Sequence, residues 1–270
     1  MTLFFLELVK LRYQKRTWIG LAGLSVVPIV GTVALYLSHG GNGEGPAEAL
    51  PLLAGALRNG LLVPLVALIG VSAFLLPLAA SMIGANMIAG EAETGTLKTV
   101  LARPVRRGSL LAAKFATAVL YIFVCLVLVF AVAVLSGRIA FGIRGIVTPM
   151  MSFSVDRTLW LTFLSYVLEL IAMSCVVAFA IFFSTLTNSS LTASVGALVI
   201  VLVVELLLQF SYFAFLRPYV FTTYFLNWTD LFRPTIPWGT IVKGVIDCFA
   251  WTTGFTLLAW WRFRRRDILV

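Results

Sequence analysis

Charged residues are scarce in this sequence: Asp, Glu, Lys and Arg make up 11% of its 270 residues, whereas 61% are hydrophobic. Soluble domains contain about a quarter charged residues and about half apolar ones. A chain of this size has no interior large enough to hide so many apolar side chains from water. The composition therefore excludes an ordinary soluble protein and indicates that lipid surrounds the folded chain.

Residues that carry catalysis or bind metals are nearly absent as well. His39 is the only histidine, so neither a multi-histidine metal site nor a Ser-His-Asp triad is available. No glycine is followed by lysine, which excludes a phosphate-binding loop of the Walker type. Cys125, Cys175 and Cys248 lie in apolar runs without close spacing, which predicts small buried hydrophobic residues. We therefore predict a non-catalytic chain with no cofactor of its own.

What the sequence does contain is six apolar stretches of the length that a bilayer requires, about 20 residues each. We predict an all-α membrane protein in which residues 1–270 form a single transmembrane domain. The predicted spans are Trp18–Leu37, Leu61–Ala89, Leu110–Leu135, Leu159–Phe183, Leu191–Phe210 and Ile241–Trp261.

Positive charge predicts how these spans are oriented. Most Lys and Arg residues fall in three clusters, at the N-terminus, between spans two and three, and at the C-terminus. Because cytoplasmic loops carry the excess of Lys and Arg, both termini and the loop between spans two and three are predicted to face the cytoplasm. The Gly-rich stretch from His39 to Gly45 is then external. The net charge of +9 borders apolar runs, which favours contact with membrane lipids over nucleic acid.

Two segments outside the spans have unusual patterns. Residues 1–16 are predicted to form an interfacial helix, with a plain extension of the first span as the alternative. One face carries Phe4, Leu8 and Leu11, and another carries Glu7, Lys10 and Gln14. Residues 211–240 contain ten aromatic side chains and three prolines, so we predict an external re-entrant segment of two short helices. An aromatic belt resting on the membrane surface is the alternative.

The second span is too long for the membrane. Its 29 residues would measure about 44 Å, against about 30 Å of hydrocarbon, so its last turns are predicted to project into the cytoplasm. Pro64 and Pro77 are expected to kink it. Its small residues predict a close approach to neighbouring helices; they are Ser81, Gly84, Ala85 and Ala89.

Several ionisable residues fall within or near the predicted spans, where an isolated charge costs about 2.5–3.5 kcal/mol. Glu169, Glu205 and Asp247 are therefore candidates for a substrate pathway. Glu169 has no obvious local partner, although a hydrogen bond to a neighbouring helix would also explain it. Lys243 and Asp247 are one helical turn apart, which predicts an ion pair.

The segment Gly90–Lys114 has the most specific pattern. Glu93 is predicted to cap a short helix that begins near Thr94–Thr96 and ends at Pro104. On that helix Leu97, Val100 and Leu101 share one face. An apolar face in a cytoplasmic loop indicates a protein partner, whereas a solvated basic loop is the alternative.

This segment resembles that of the permease subunits of type 2 ABC exporters, which export drugs, lipids and polysaccharides. The resemblance rests on Glu91, Glu93, Gly95, Thr96, Leu97, Leu101, Pro104, Val105, Arg107 and Lys114. It implies a coupling segment at residues 90–110, two permease copies per transporter, and a separate ATPase chain that holds ATP and Mg²⁺. The ATPase-coupling residues would be Glu91, Glu93, Gly95, Thr96, Leu97, Val100, Leu101 and Pro104.

The sequence is thus interpreted as the permease half of an ATP-driven exporter in the cell membrane. A proton-coupled secondary transporter using Glu169 or Asp247 is the alternative, although the two halves show no clear inverted repeat. An intramembrane enzyme is a third possibility, which the missing catalytic constellations disfavour. No residue selects among the possible substrates.

Overall fold

The computed structural model describes residues 3–39, 60–96, 106–142, 146–148, 151–233 and 235–265. Six helices in it are long and apolar enough to cross a membrane, as the sequence predicts. The eight longer α-helices and two strands are α1 (Leu3–Tyr13), α2 (Lys15–His39), α3 (Val63–Ser72), α4 (Leu75–Ala85), α5 (Arg107–Phe141), β1 (Ile146–Thr148), β2 (Met151–Phe153), α6 (Val155–Leu186), α7 (Ser190–Leu207) and α8 (Trp238–Arg265). A single helical turn, Glu91–Glu93, follows the second span.

The N-terminal helix α1 is separated from the first span, α2, by a break at Gln14. It packs against the first turns of α5. The inward face of α1 carries Glu7 and Leu11, which are both buried. The sequence placed Glu7 on a separate polar face, and this was wrong because a buried partner, described below, draws its carboxylate inward.

The second span consists of two successive helices, α3 and α4, with a break between them. A 3-10 turn at Gly60–Leu62 leads into α3, and the chain then breaks before α4. Pro77 lies in the first turn of α4 and has no N–H to donate to the preceding turn, so the predicted kink at Pro77 is confirmed. The kink predicted at Pro64 was wrong: Pro64 lies in the first turn of α3, where a missing N–H costs nothing.

The break changes the neighbours of the second span. Its first half, α3, packs against α2 and α5, whereas its second half, α4, packs chiefly against α6 and α7. The close approach predicted for the small residues is confirmed, because a Cβ added to Gly84 would lie 2.7 Å from the Cβ of Ala180. Ala85, Ala89 and Ala193 form a small buried cluster between α4 and α7. The second half of the second span, α4, is therefore packed against α6 and α7, away from α2.

Helix α6 forms the centre of the bundle. It packs against α4, α5, α7 and α8, and the run from Cys175 to Ile181 is almost wholly buried. The three cysteines are free and buried, as predicted. The faces of α2, α7 and α8 that turn away from α6 expose large apolar side chains, which is expected of helices that face lipid.

The helices of the bundle end at two opposite sides, which we name by the residues found there. We call the end with α1, Glu91, Arg107 and Arg265 the basic end, and the end with Gly60 and Gly142 the distal end. The antiparallel hairpin β1–β2 connects α5 to α6 and pairs Val147 with Ser152. It is the one departure, among the residues described, from an all-helical fold.

Between α7 and α8 the chain forms three 3-10 segments, Ser211–Tyr219, Phe221–Tyr224 and Asn227–Phe232, instead of the two short helices predicted. Phe221 reaches deep into the bundle, because its ring lies 6.3 Å from Phe179 and 6.0 Å from Phe255. The indole of Trp251 donates a hydrogen bond to the carbonyl of Tyr219 at 3.0 Å. The second and third segments are therefore packed within the protein, whereas Ser211–Tyr219 has no buried residue. The depth of these segments in a membrane stays a prediction.

Candidate functional site at the basic end

Four charged side chains meet where α1, the end of the second span and the start of α5 come together. The ammonium of Lys114 lies 2.7 Å from Glu91 Oε1 and 3.2 Å from Glu7 Oε1. The ammonium of Lys10 lies 2.8 Å from Glu91 Oε1 and 3.2 Å from Glu7 Oε1. We call these four residues the charge network. Two carboxylates thus face two ammonium groups, and the network is neutral.

Lys114 makes this network necessary. Its side chain is only 1% exposed, two turns into a membrane-spanning helix. A buried ammonium group without partners would be strongly destabilising, and two carboxylates that both accept hydrogen bonds offset that cost. Each carboxylate comes from a different element, Glu7 from α1 and Glu91 from the end of the second span. The network therefore fixes three elements relative to one another.

Lys10 occupies the outer side of the same network, with 42% of its side chain exposed. Burial by itself would lower the pKa of Lys10. The hydrogen bond to Glu91 and the charges of Glu91 and Glu7 outweigh that effect and raise the pKa. Lys10 is therefore cationic throughout the neutral pH range.

The backbone that carries Glu91 leaves the α-helical pattern just before it. Residues Asn86–Gly90 form a π-helical turn, a feature that often marks functional sites. The hydroxyl of Ser184 on α6 accepts hydrogen bonds from the N–H groups of Ala89 and Ile88, at 2.7 and 3.2 Å, and donates to the carbonyl of Ala85 at 2.6 Å. One side chain of α6 thus stabilises the backbone groups that the turn leaves unpaired.

Glu93 connects the same segment to α7. Its carboxylate accepts a hydrogen bond at 3.0 Å from the backbone N–H of Ser190, the first residue of α7. A carboxylate at this position also interacts favourably with the helix dipole. The sequence predicted that Glu93 caps the coupling helix, which lies mostly outside the described residues, so that prediction stays a prediction; among the described residues its carboxylate caps α7. The Ser190 hydroxyl bonds to Asn86 on the other side of this contact.

Arg107 connects the far side of the loop to the last span. Its guanidinium donates hydrogen bonds of 3.0 and 2.9 Å to the carbonyls of Phe263 and Arg264. These carbonyls lie in the last described turn of α8, where a cationic donor is favourable. The start of α5 is thereby fixed to the end of α8.

Between these attachments lies the predicted coupling helix. Gly95 has a φ of 71°, the left-handed conformation that glycine adopts without strain. Thr96 follows, and its hydroxyl lies 3.0 Å from that of Thr94. Residues 97–105 are outside the described ranges, so the roles of Leu97, Val100, Leu101 and Pro104 stay predictions.

The three pathway candidates lie away from this end. Glu169 is 0% exposed on α6, and neither of its carboxylate oxygens has a hydrogen-bond partner among the described residues. The hydroxyl of Ser72, at the break in the second span, is close to it but also unbonded. Glu205 on α7 is half-buried and near enough for its charge to act on Glu169.

Asp247 lies on α8 beside the phenol of Tyr224. Lys243 and Asp247 both lie in the described part of α8, but they do not form the predicted ion pair, and Lys243 is exposed. This prediction was wrong because the two side chains point to different environments, Lys243 outward and Asp247 toward the re-entrant segment. Across the described ranges, no three His, Cys, Asp or Glu residues form a metal site.

The charge network itself was missed by reasoning from sequence. Lys114 was counted in a basic cluster and in the family resemblance, and Glu7 was placed on a second face of the N-terminal helix with Lys10 and Gln14. The signal that could have found the network is Lys114, which follows several apolar residues of the third span. A lysine at that depth requires a carboxylate, and Glu7 and Glu91 are the acidic residues of the neighbouring segments.

Comparison with protein families shows which family the chain belongs to. The model of the ABC-2 family transporter proteins matches residues 1–268. The chain belongs to this family. It is therefore the membrane permease component of an ABC transporter, and the match extends over every helix described above. A search of curated proteins found no match. Four of the residues that suggested the resemblance attach the flanks of the loop of this ABC-2 permease to α1, α7 and α8, namely Glu91, Glu93, Arg107 and Lys114.

Proposed function

We propose that this permease works as one half of an ATP-driven exporter, in which two copies form a pathway and a separate ATPase docks on the segment at Gly95–Arg103. The family supplies the general role, since an ABC transporter draws its energy from ATP. The partner chain would hold ATP and Mg²⁺, because the sequence of the permease has no phosphate-binding loop.

The attachment of the loop on both sides carries this proposal. Before the loop, Glu91 is held by Lys10 and Lys114, and Glu93 binds the start of α7. After the loop, Arg107 binds the end of α8. A displacement of the loop would therefore pass directly to α1, α7 and α8. A solvated basic loop, the alternative from sequence, would need none of these attachments.

We further propose that the basic end faces the cytoplasm of a cell membrane. Helix α1, the loop flanks and the end of α8 share one end of the bundle, and the basic clusters of the sequence belong to these parts. The positive-inside rule then assigns that end to the cytoplasm. The outward face of α1, with Phe5, Val9 and Tyr13 exposed, fits a helix lying at the lipid surface.

Glu169 is the proposed polar contact of the pathway. A carboxyl group in the middle of the bundle without a hydrogen-bond partner among the described residues suits contact with a substrate or with the second permease copy. The proton-coupled secondary transporter, the alternative from sequence, also draws on this residue, but the family match favours the ATP-driven mechanism.

The docking proposal is tested at the predicted apolar face. Leu97→Asp or Leu101→Asp would place a charge in the contact, where losing one buried leucine costs about 2 kcal/mol and weakens binding more than tenfold. We expect membrane insertion to be retained, while the ATPase is lost from pull-downs in mild detergent and transport stops.

Thr99→Asp is the matched control, because it adds the same charge in the same segment on a different face of the predicted helix. We expect it to retain the ATPase. If both leucine variants keep the ATPase and transport normally, the segment is a solvated loop and the proposal fails.

A further inference from the structure

A slot opens between the first span and the lower half of the second. Because α4 packs against α6 and α7 instead of α2, the helices separate below the break and leave a cavity of about 420 Å³. Gly20 and Gly23 line one wall, Leu78 and Ala79 line the other, and Tyr121 of α5 forms the floor. The slot is almost entirely apolar.

The slot is open to the side of the bundle. Ile19 is 71% exposed and Met82 is 42% exposed along its edges, and a Cβ added to Gly23 would meet nothing within 4 Å. These residues belong to the first turns of α2 and the middle of α4, both within membrane-spanning helices. In a bilayer the space is therefore filled by hydrocarbon, since leaving it empty would forfeit the dispersion contacts of its walls.

The same slot continues into a polar cavity at the basic end. This second cavity measures about 770 Å³ and shares four lining residues with the slot, namely Gln14, Arg16, Ile83 and Asn86. Its acidic residues are already engaged: Glu7 and Glu91 belong to the charge network, and Glu93 caps α7. The charges left at the mouth of the slot are the cationic side chains of Lys15 and Arg16.

Arg16 is placed to bind an anion at this mouth. Its guanidinium makes a 3.4 Å contact to Asn86 Oδ1, and the side chain is otherwise exposed. A guanidinium binds phosphate with two parallel hydrogen bonds. Lys15, at the start of α2, adds a second cation where the helix dipole also favours negative charge. An apolar slot with a cationic mouth at the membrane surface is complementary to one kind of molecule, an anionic lipid.

We propose that this cavity binds an anionic phospholipid of the surrounding leaflet, with one acyl chain in the slot and the phosphate at Arg16 and Lys15. The lipid would complete the wall that α2 and α4 leave open. This site is separate from Glu169 and from the docking loop, so it stands or falls independently of the proposed function.

The slot is tested by filling it. Gly23→Leu places a side chain in the space of the acyl chain, and Ala79→Leu fills it from the opposite wall. Gly31→Leu is the matched control, because it lies on the same helix, also meets open space, and does not line the slot. Native mass spectrometry of the purified full-length protein, after addition of phosphatidylglycerol or phosphatidylcholine, measures the retained lipid and the oligomeric state together.

We expect the wild type and Gly31→Leu to retain phosphatidylglycerol in preference to phosphatidylcholine. In both slot variants, the amount of retained phosphatidylglycerol should fall on the order of tenfold. Arg16→Gln should remove the preference for phosphatidylglycerol, whereas Arg138→Gln, at the distal end, should not. Equal retention by the slot variants and the control would overturn the proposal. So would unchanged lipid retention with a changed oligomeric state, which would mean that a second copy of the chain covers the slot.

Discussion

Buried ionisable side chains have opposite surroundings in two regions of this permease. At the basic end, Lys114 is fully enclosed but has two carboxylate partners, from Glu7 and Glu91. In the middle of the bundle, Glu169 is equally enclosed and has no hydrogen-bond partner within the part of the chain described. Both positions are costly for a charge, yet only the first is balanced by the chain itself.

The difference separates a structural role from a functional one. A balanced set of charges contributed by α1, the second span and α5 fixes those elements in one arrangement, which suits the coupling role proposed above. An unbalanced carboxyl group gains nothing from the fold around it. The proposed pathway role would give it a partner outside the single chain, either the substrate or the second permease copy.

The largest expected effect comes from removing the central cation of the network. Lys114→Met keeps the length of the side chain but leaves Glu7 and Glu91 buried, with only Lys10 to balance them. We expect a loss of about 3–5 kcal/mol in the free energy of unfolding, measured by denaturation in detergent. Lys243→Met, at an exposed lysine on α8, is the control and should change stability little. Equal stability of both variants would show that the network is not what holds α1 in place.

Glu169→Gln is expected to affect activity without affecting assembly. The amide preserves shape and hydrogen bonding but removes the charge, so the fold loses no partner. We expect transport to fall about tenfold or more, equivalent to about 1.4 kcal/mol, with a normal yield of the assembled complex. Glu205→Gln, at a half-buried position, should have a smaller effect. Normal transport in Glu169→Gln would remove the charged pathway role, and failed assembly would make the residue structural.

The sequence predicts the general plan of this fold well because the plan depends on local properties. Apolar runs of sufficient length specify the six spans, and Pro77 lies just after the break in the second of them. The positive φ of Gly95 is likewise a local property, because glycine has no side chain to hinder that conformation. Each of these features is determined within a few residues of chain.

Contacts between distant residues are what the sequence could not supply. Glu93 was assigned to a helix three residues away, but its carboxylate binds Ser190, 97 positions along the chain. Lys243 and Asp247 were paired by spacing, although the re-entrant segment gives Asp247 a different neighbour. Such partners depend on which helices the bundle brings together, and in the second span that depends on a break that turns α4 toward α6 and α7.

The helix cap at Glu93 is expected to have a moderate effect. Glu93→Ala removes the acceptor for the Ser190 N–H and the negative charge at the start of α7, which together contribute about 1 kcal/mol. Glu93→Gln should recover part of this loss, because the amide oxygen still accepts the hydrogen bond. Differential scanning fluorimetry on the two variants measures the order. If Glu93→Ala melts at the wild-type temperature, Glu93 does not fasten the loop to α7.

Lys10→Met should give the smallest effect and completes the comparison with Lys114. Both ammonium groups contact the same two carboxylates, but the side chain of Lys10 is 42% exposed and that of Lys114 only 1%. Solvent screens an exposed pair, so we expect a loss of about 1 kcal/mol or less in the free energy of unfolding. The pKa of Lys10 is raised above its ordinary value of 10.5, so its contribution is complete below about pH 10.5 and is lost only as pH rises through the higher folded value. The difference in melting temperature between wild type and Lys10→Met should therefore stay constant from about pH 7 to about pH 9. A loss as large as that of Lys114→Met would mean that burial does not set the strength of these pairs.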